Sequence, residues 1–237
     1  MPILKLSRDT PQAFRQFSVI GCYGKQPFVV HVALLRQDTS LTSQSRNIPV
    51  WHMGPPLIAG ERSLTNRAAK GRDMLPSVDL VGHIELDQEE IEGIFTWLDL
   101  LDKEQQRPDK PTAHYCVSPP FKWVTGENQK PLYRQFSCIG FVMDCYRSIE
   151  INLIDDSETQ QLPGVDLELV LEAYPRASDA TERAEYGLSG PGPWKIILPG
   201  YVFHSLNRDF DTVRNTPYIP QANHWNFEAP AATQPPQ

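Results

Sequence analysis

The chain has 237 residues, 40% of them hydrophobic and 22% charged, a composition that supports a sizeable globular core. Its net charge of −7, with no basic block, argues against a nucleic-acid binder, because phosphate contacts need concentrated Lys and Arg. The four cysteines (Cys22, Cys116, Cys138, Cys145) are too few and scattered for a disulfide scaffold.

No CxxC pair suggests zinc, so free thiols are expected, with neither a metal nor another cofactor. The first twenty residues carry charges and a proline where a signal peptide needs an unbroken apolar stretch. No run approaches the ~18 apolar residues of a membrane span. The expected location is cytoplasmic. The 22 prolines are roughly double the usual ~5% share and predict long irregular segments.

In chain order, Phe28 to Arg36 (FVVHVALLR) reads as a buried strand. A polar loop follows, and Ile48 to Met53 (IPVWHM) forms a second strand that ends at Pro55 and Pro56. Val78 to Leu86 alternates like a third strand. Asp87 and Glu90 have the spacing of a capping box and open a helix over 88–104, whose apolar stripe is Ile91, Ile94, Phe95, Leu98 and Leu101. Residues 108 to 135, with five prolines, read as a long irregular connection.

Ser137 then caps a second helix with Ile139, Val142, Met143 and Tyr146 on its core side. Val165, Leu167, Leu169 and Leu171 alternate and predict a strand. Trp194 to Leu206 predicts one or two more, broken at Pro199 and Gly200. Residues 1–214 are expected to form one α+β domain, and 215–237 a proline-rich tail, partly disordered.

Cys138 is the strongest chemical candidate. A thiol in the first turn of a helix faces unpaired N–H groups and the positive end of the dipole, which favours thiolate. A cysteine in a helix is more often a packing residue, as Cys145 one heptad later illustrates. His31 sits mid-strand in FVVHVALL, where an imidazole needs a partner, so a Cys–His pair becomes a specific expectation. His52 is the expected orienting residue, because a hairpin of the two strands brings both rings to one side. His83, on a polar strand face beside Asp79 and Glu85, is the alternative. Tyr133, just upstream of the second helix, is a candidate donor in the cleft or oxyanion site, although packing on the helix is the stronger reading.

FSCIGFVMDCYRSIEINL resembles the nucleophile helix of the NlpC/P60 cysteine hydrolases, usually an Asp-Cys-Ser-Gly-Phe-Val run. HVALL followed by WHM is similar to that family's histidine strand and the strand after it, which commonly ends Ile-His-Ala. Both histidines precede the cysteine here, the order of the circularly permuted branch that includes the lecithin:retinol acyltransferase-like proteins. The resemblance covers two patches of the chain. It implies a papain-like antiparallel sheet packed on the nucleophile helix, with Cys138 as nucleophile, His31 as base and His52 as orienting residue.

The implied activity is that of a cysteine hydrolase (amidase or thiol protease) or acyltransferase acting on a small-molecule, peptide or acyl substrate. An inactive papain-like binding module is the competing expectation. Ser137 stands where the family commonly has Asp, and Ile139 where it has a small Ser. The apolar Ile139 leans the expectation toward acyl substrates.

Overall fold

Val32 and Leu34 of the histidine strand pack into one apolar core, and Ala33 and Leu35 into another. The strand therefore lies between two layers, as period-2 alternation dictates for a sheet covered on both faces. A computed structural model describes residues 3–25, 27–54, 64–65, 74–105, 115–157 and 161–229. Its architecture is mixed α+β with antiparallel sheets.

The N-terminal half holds strands β1 (Leu4–Lys5), β2 (Gln12–Phe14), β3 (Val19–Tyr23), β4 (Val29–Leu35), β5 (Thr39–Leu41), β6 (Ile48–Met53), β7 (Leu64–Thr65), β8 (Met74–Leu75) and β9 (Leu80–Gly82). The main sheet runs β1-β9-β3-β4-β6-β7, with β8 also on β6, while β2 and β5 pair separately. Helix α1 (Gln88–Gln105) follows, then a hairpin of β10 (Phe121–Thr125) and β11 (Pro131–Phe136), then α2 (Cys138–Arg147). The C-terminal part contributes β12 (Gly164–Val165), α3 (Leu167–Ala173), α4 (Ala180–Glu185), β13 (Trp194–Lys195), α5 (Gly200–Leu206) and α6 (Phe210–Asn215). Among the described residues no helix is long and apolar enough to cross a membrane.

The expected capping box closes α1: Asp87 N–H donates to Glu90 Oε2 at 2.9 Å and Glu90 N–H to Asp87 Oδ1 at 2.9 Å. Its Ile94, Leu98 and Leu101 are buried, while Ile91 and Phe95 are half-buried. Helix α2 departs from a one-faced stripe, since every residue from Cys138 to Tyr146 is buried. Sheet, hairpin and C-terminal helices enclose it, so it is the central element of the larger core.

Four expectations are corrected. Residues 167–173 are helical, because Asp166 accepts from Leu169 N–H as an N-cap, and Val170 is the helix's buried contact. Residues 200–206 are also helical, and only Trp194–Lys195 remain as strand. The connection before Cys138 is not wholly irregular, because its second half forms the β10–β11 hairpin. The third strand shortens to Leu80–Gly82.

The described part of the tail packs against the domain. Phe227 N–H donates to Pro27 O at 3.1 Å, and the Tyr23 hydroxyl donates to Phe227 O at 2.8 Å. The final residues, 230–237, lie outside the described ones.

Candidate active site

The chain enters α2 from β11, and Ser137 supplies the turn. Its Oγ accepts from Gly140 N–H at 3.0 Å, as expected of the N-cap. A Cβ at Gly140 would fall on the Pro120 carbonyl oxygen. That carbonyl also accepts from Ser137 N–H at 2.9 Å, so glycine is required for this close approach. These contacts hold the N-terminus of α2 against the segment leading into β10, with Cys138 in the first helical position.

Cys138 is 1% exposed. Burial pushes its thiol up to about 11, while N–H groups of Val32, Ile139 and Cys138 itself, and the Tyr174 hydroxyl, pull in the opposite direction. The sulfur therefore rests against the peptide that follows His31. That N–H is available because the pairing of β4 with β6 stops at Leu34–Trp51. Beyond that point β6 pairs with β7, at His52–Thr65 and Met53–Leu64.

His31 and His52 come together as expected. Nε2 of His31 lies 3.0 Å from Nδ1 of His52, with the rings nearly perpendicular at 88°. One proton sits between them. Burial, then the neighbouring His52, depresses His31 to about 3, and burial depresses His52 to about 4. Both rings are neutral at pH 7.

His31 follows a bulge at Val30, is in register with Cys22, and shares the strand phase of Ala33 and Leu35. Its ring thus leaves β4 on the side away from the apolar face of α2. Its Nδ1 makes no hydrogen bond among the described residues, and none links Cys138 to either imidazole. In the resting geometry the thiol and the imidazole pair are uncharged and not directly bonded.

His83 is elsewhere. Its Nδ1 lies 3.0 Å from Ser18 Oγ, so His52 is the partner of His31. Tyr133 pairs with Val124 in the hairpin, outside the set of groups around the sulfur. Two tyrosines that sequence reasoning missed do approach it. Tyr115 and Tyr174 are each 2% exposed, with ring centroids 6.2 Å apart, and neither hydroxyl closes a hydrogen bond of ordinary geometry. Each lies close enough to the sulfur to act on its charge, and the Tyr174 hydroxyl favours the thiolate. Their sequence contexts, HYC and LEAYP, carry no local signal for this placement.

No family model, curated protein or solved structure matches the chain.

Proposed function

We propose that the chain is a papain-like cysteine hydrolase or acyltransferase in which Cys138 attacks an amide, ester or thioester carbonyl. One observation carries this reading. The His31–His52 pair is bonded at 3.0 Å beside Val32, whose N–H faces the sulfur of a cysteine at a helix N-terminus.

In the proposed mechanism, His31 Nε2–H donates to His52 Nδ1, which leaves His31 Nδ1 as the base. To take the Sγ proton as sulfur bonds to the carbonyl carbon, that ring must turn toward the α2 side of β4. The oxyanion draws on the Cys138 N–H at the positive end of α2. The imidazolium then protonates the leaving group, and a thioester remains on Cys138. Water, or an acceptor alcohol or amine, gives its proton to His31 as it attacks, releases the acyl group and restores the thiol.

A second reading, the inactive binding module, is favoured by the enclosure of Cys138 and by the missing hydrogen bond between thiol and imidazole.

Incubation with p-nitrophenyl butyrate, followed by peptide mass spectrometry, separates the two. The enzyme reading expects a butyryl thioester on Cys138, with turnover lost in Cys138→Ser and greatly reduced in His31→Gln. A folded protein that acquires no adduct at Cys138, or acquires one at the same rate in His31→Gln, sinks the catalytic pair.

A further inference from the structure

Beyond the Val19 end of β3, the end away from Cys22, a cavity of about 430 Å³ opens beside His83. Its polar wall includes Arg15, Asp38, His83 and Glu85, and its floor Leu86 and Ile91. The hydrogen bonds around it fix which groups remain available.

Ser18 is fully buried, and its hydroxyl lies 2.7 Å from the Arg15 carbonyl oxygen. Only a proton on Ser18 Oγ can bridge two oxygens at that distance, because a carbonyl cannot donate. Toward His83 Nδ1, 3.0 Å away, the hydroxyl can then only accept. His83 is therefore the Nδ1–H tautomer, and Nε2 is left as a bare acceptor with no partner among the described residues. Burial favours this neutral ring.

The remaining groups point the same way. Asp38 is satisfied, since it accepts from Arg15 at 2.9 Å and from Gln16 N–H at 2.8 Å. The Gln16 side-chain amide donates to Arg36 O at 2.6 Å, which leaves its Oε1 as an acceptor. The Glu85 carboxylate has no hydrogen bond or ion pair among the described residues. Among the described residues of the lining Arg15 is the only cation, and Asp38 already offsets it. Next to this wall, Phe17 holds a left-handed φ of 64°, a strained conformation for a bulky residue, fixed by full burial and by the Tyr146 hydroxyl donating to its carbonyl at 2.8 Å.

We propose that this cavity binds an organic primary ammonium group. His83 Nε2, Gln16 Oε1 and the Glu85 carboxylate would accept its three N–H donors, and Leu86 and Ile91 would cover the adjoining aliphatic chain. An ammonium is a compact three-proton donor, which complements three acceptors around an apolar floor. The site is independent of the chemistry at Cys138.

The test is an NMR titration of the 237-residue chain with n-butylammonium chloride and, at matched ionic strength, with sodium butyrate. Saturable shifts of the Ser18, His83 and Ile91 amides are expected with the ammonium and not with the carboxylate. Glu85→Gln, which removes an exposed charge, should weaken binding about threefold. His83→Phe removes an acceptor to a charged donor and should weaken it about tenfold. Absence of saturable ammonium binding, butyrate binding as tightly, or a Glu85→Gln affinity equal to wild type would each overturn the assignment. The last two hold whether or not His83→Phe folds.

Discussion

His31 and His52 share one proton across 3.0 Å, from neighbouring strands, at the place where those strands cease to pair. Both rings are held neutral by burial, at about 3 and about 4 against an unfolded value of 6.5. Between these values the unfolded chain binds more protons than the folded one, so stability is fully present above about 6.5 and lost as pH falls toward 3. Calorimetric melting between pH 7.5 and 4 should show a steadily falling Tm. His31→Gln should flatten that slope, and an unchanged slope would place the acid-sensitive groups elsewhere.

Gly140 and Pro120 make a separate prediction. In an open helix Gly→Ala is stabilising by roughly 1 kcal/mol. Here the added methyl falls on the Pro120 carbonyl oxygen, and overpacking against backbone reverses the sign. Gly140→Ala should lose about 3 kcal/mol in urea unfolding. A neutral or stabilising result would mean that the helix start is not pressed on this carbonyl.

Arg134 is 9% exposed and serves two carboxylates: Nη1 donates to Asp144 Oδ2 at 3.0 Å, and Nη2 to Glu104 Oε1 at 2.7 Å. Trp97 Nε1 also donates to Asp144, at 2.9 Å, tying α1 and β11 to α2. Burial nonetheless raises the Asp144 carboxyl above its ordinary range. Arg134→Met strands that buried charge and should destabilise by about 3 kcal/mol at pH 7. The deficit should shrink as pH falls, because protonated Asp144 no longer needs a cation. A deficit independent of pH would assign the loss to packing against Trp97 and Trp123 instead.

Much of the frame was legible locally. The Asp87–Glu90 spacing, the Ser137 cap and the apolar strands of His31 and His52 are short-range signals, and each formed the expected element. The alternation from Val165 to Leu171 misled, because a short apolar run fits either period and the cap at Asp166 decided it. Other features arise only in three dimensions. The bulge at Val30 shifts the phase of β4, so His31 does not share the core side of Val29. Tyr115 and Tyr174 reach Cys138 from segments 23 and 36 residues away in sequence, too far for any local pattern to connect them.

Cys138 gives the last prediction. Its folded thiol stands at about 11, against an ordinary value of 9.0, chiefly through burial. Below about 9 the thiol is protonated in both folded and unfolded chains, so its contribution to stability is constant. As pH rises from 9 through 11 the unfolded chain ionises first, and that contribution is lost. Residue-resolved iodoacetamide labelling should therefore be far slower in the native protein than in urea at pH 8, since thiolate is the reactive form. The native rate should still be rising above pH 10. Tyr174→Phe removes a hydroxyl that favours the thiolate and should move the midpoint further up. A native rate already at its plateau near pH 6, and lost in His31→Gln, would instead show that solution favours a preformed thiolate–imidazolium pair. That outcome would displace the neutral resting pair while strengthening the hydrolase reading.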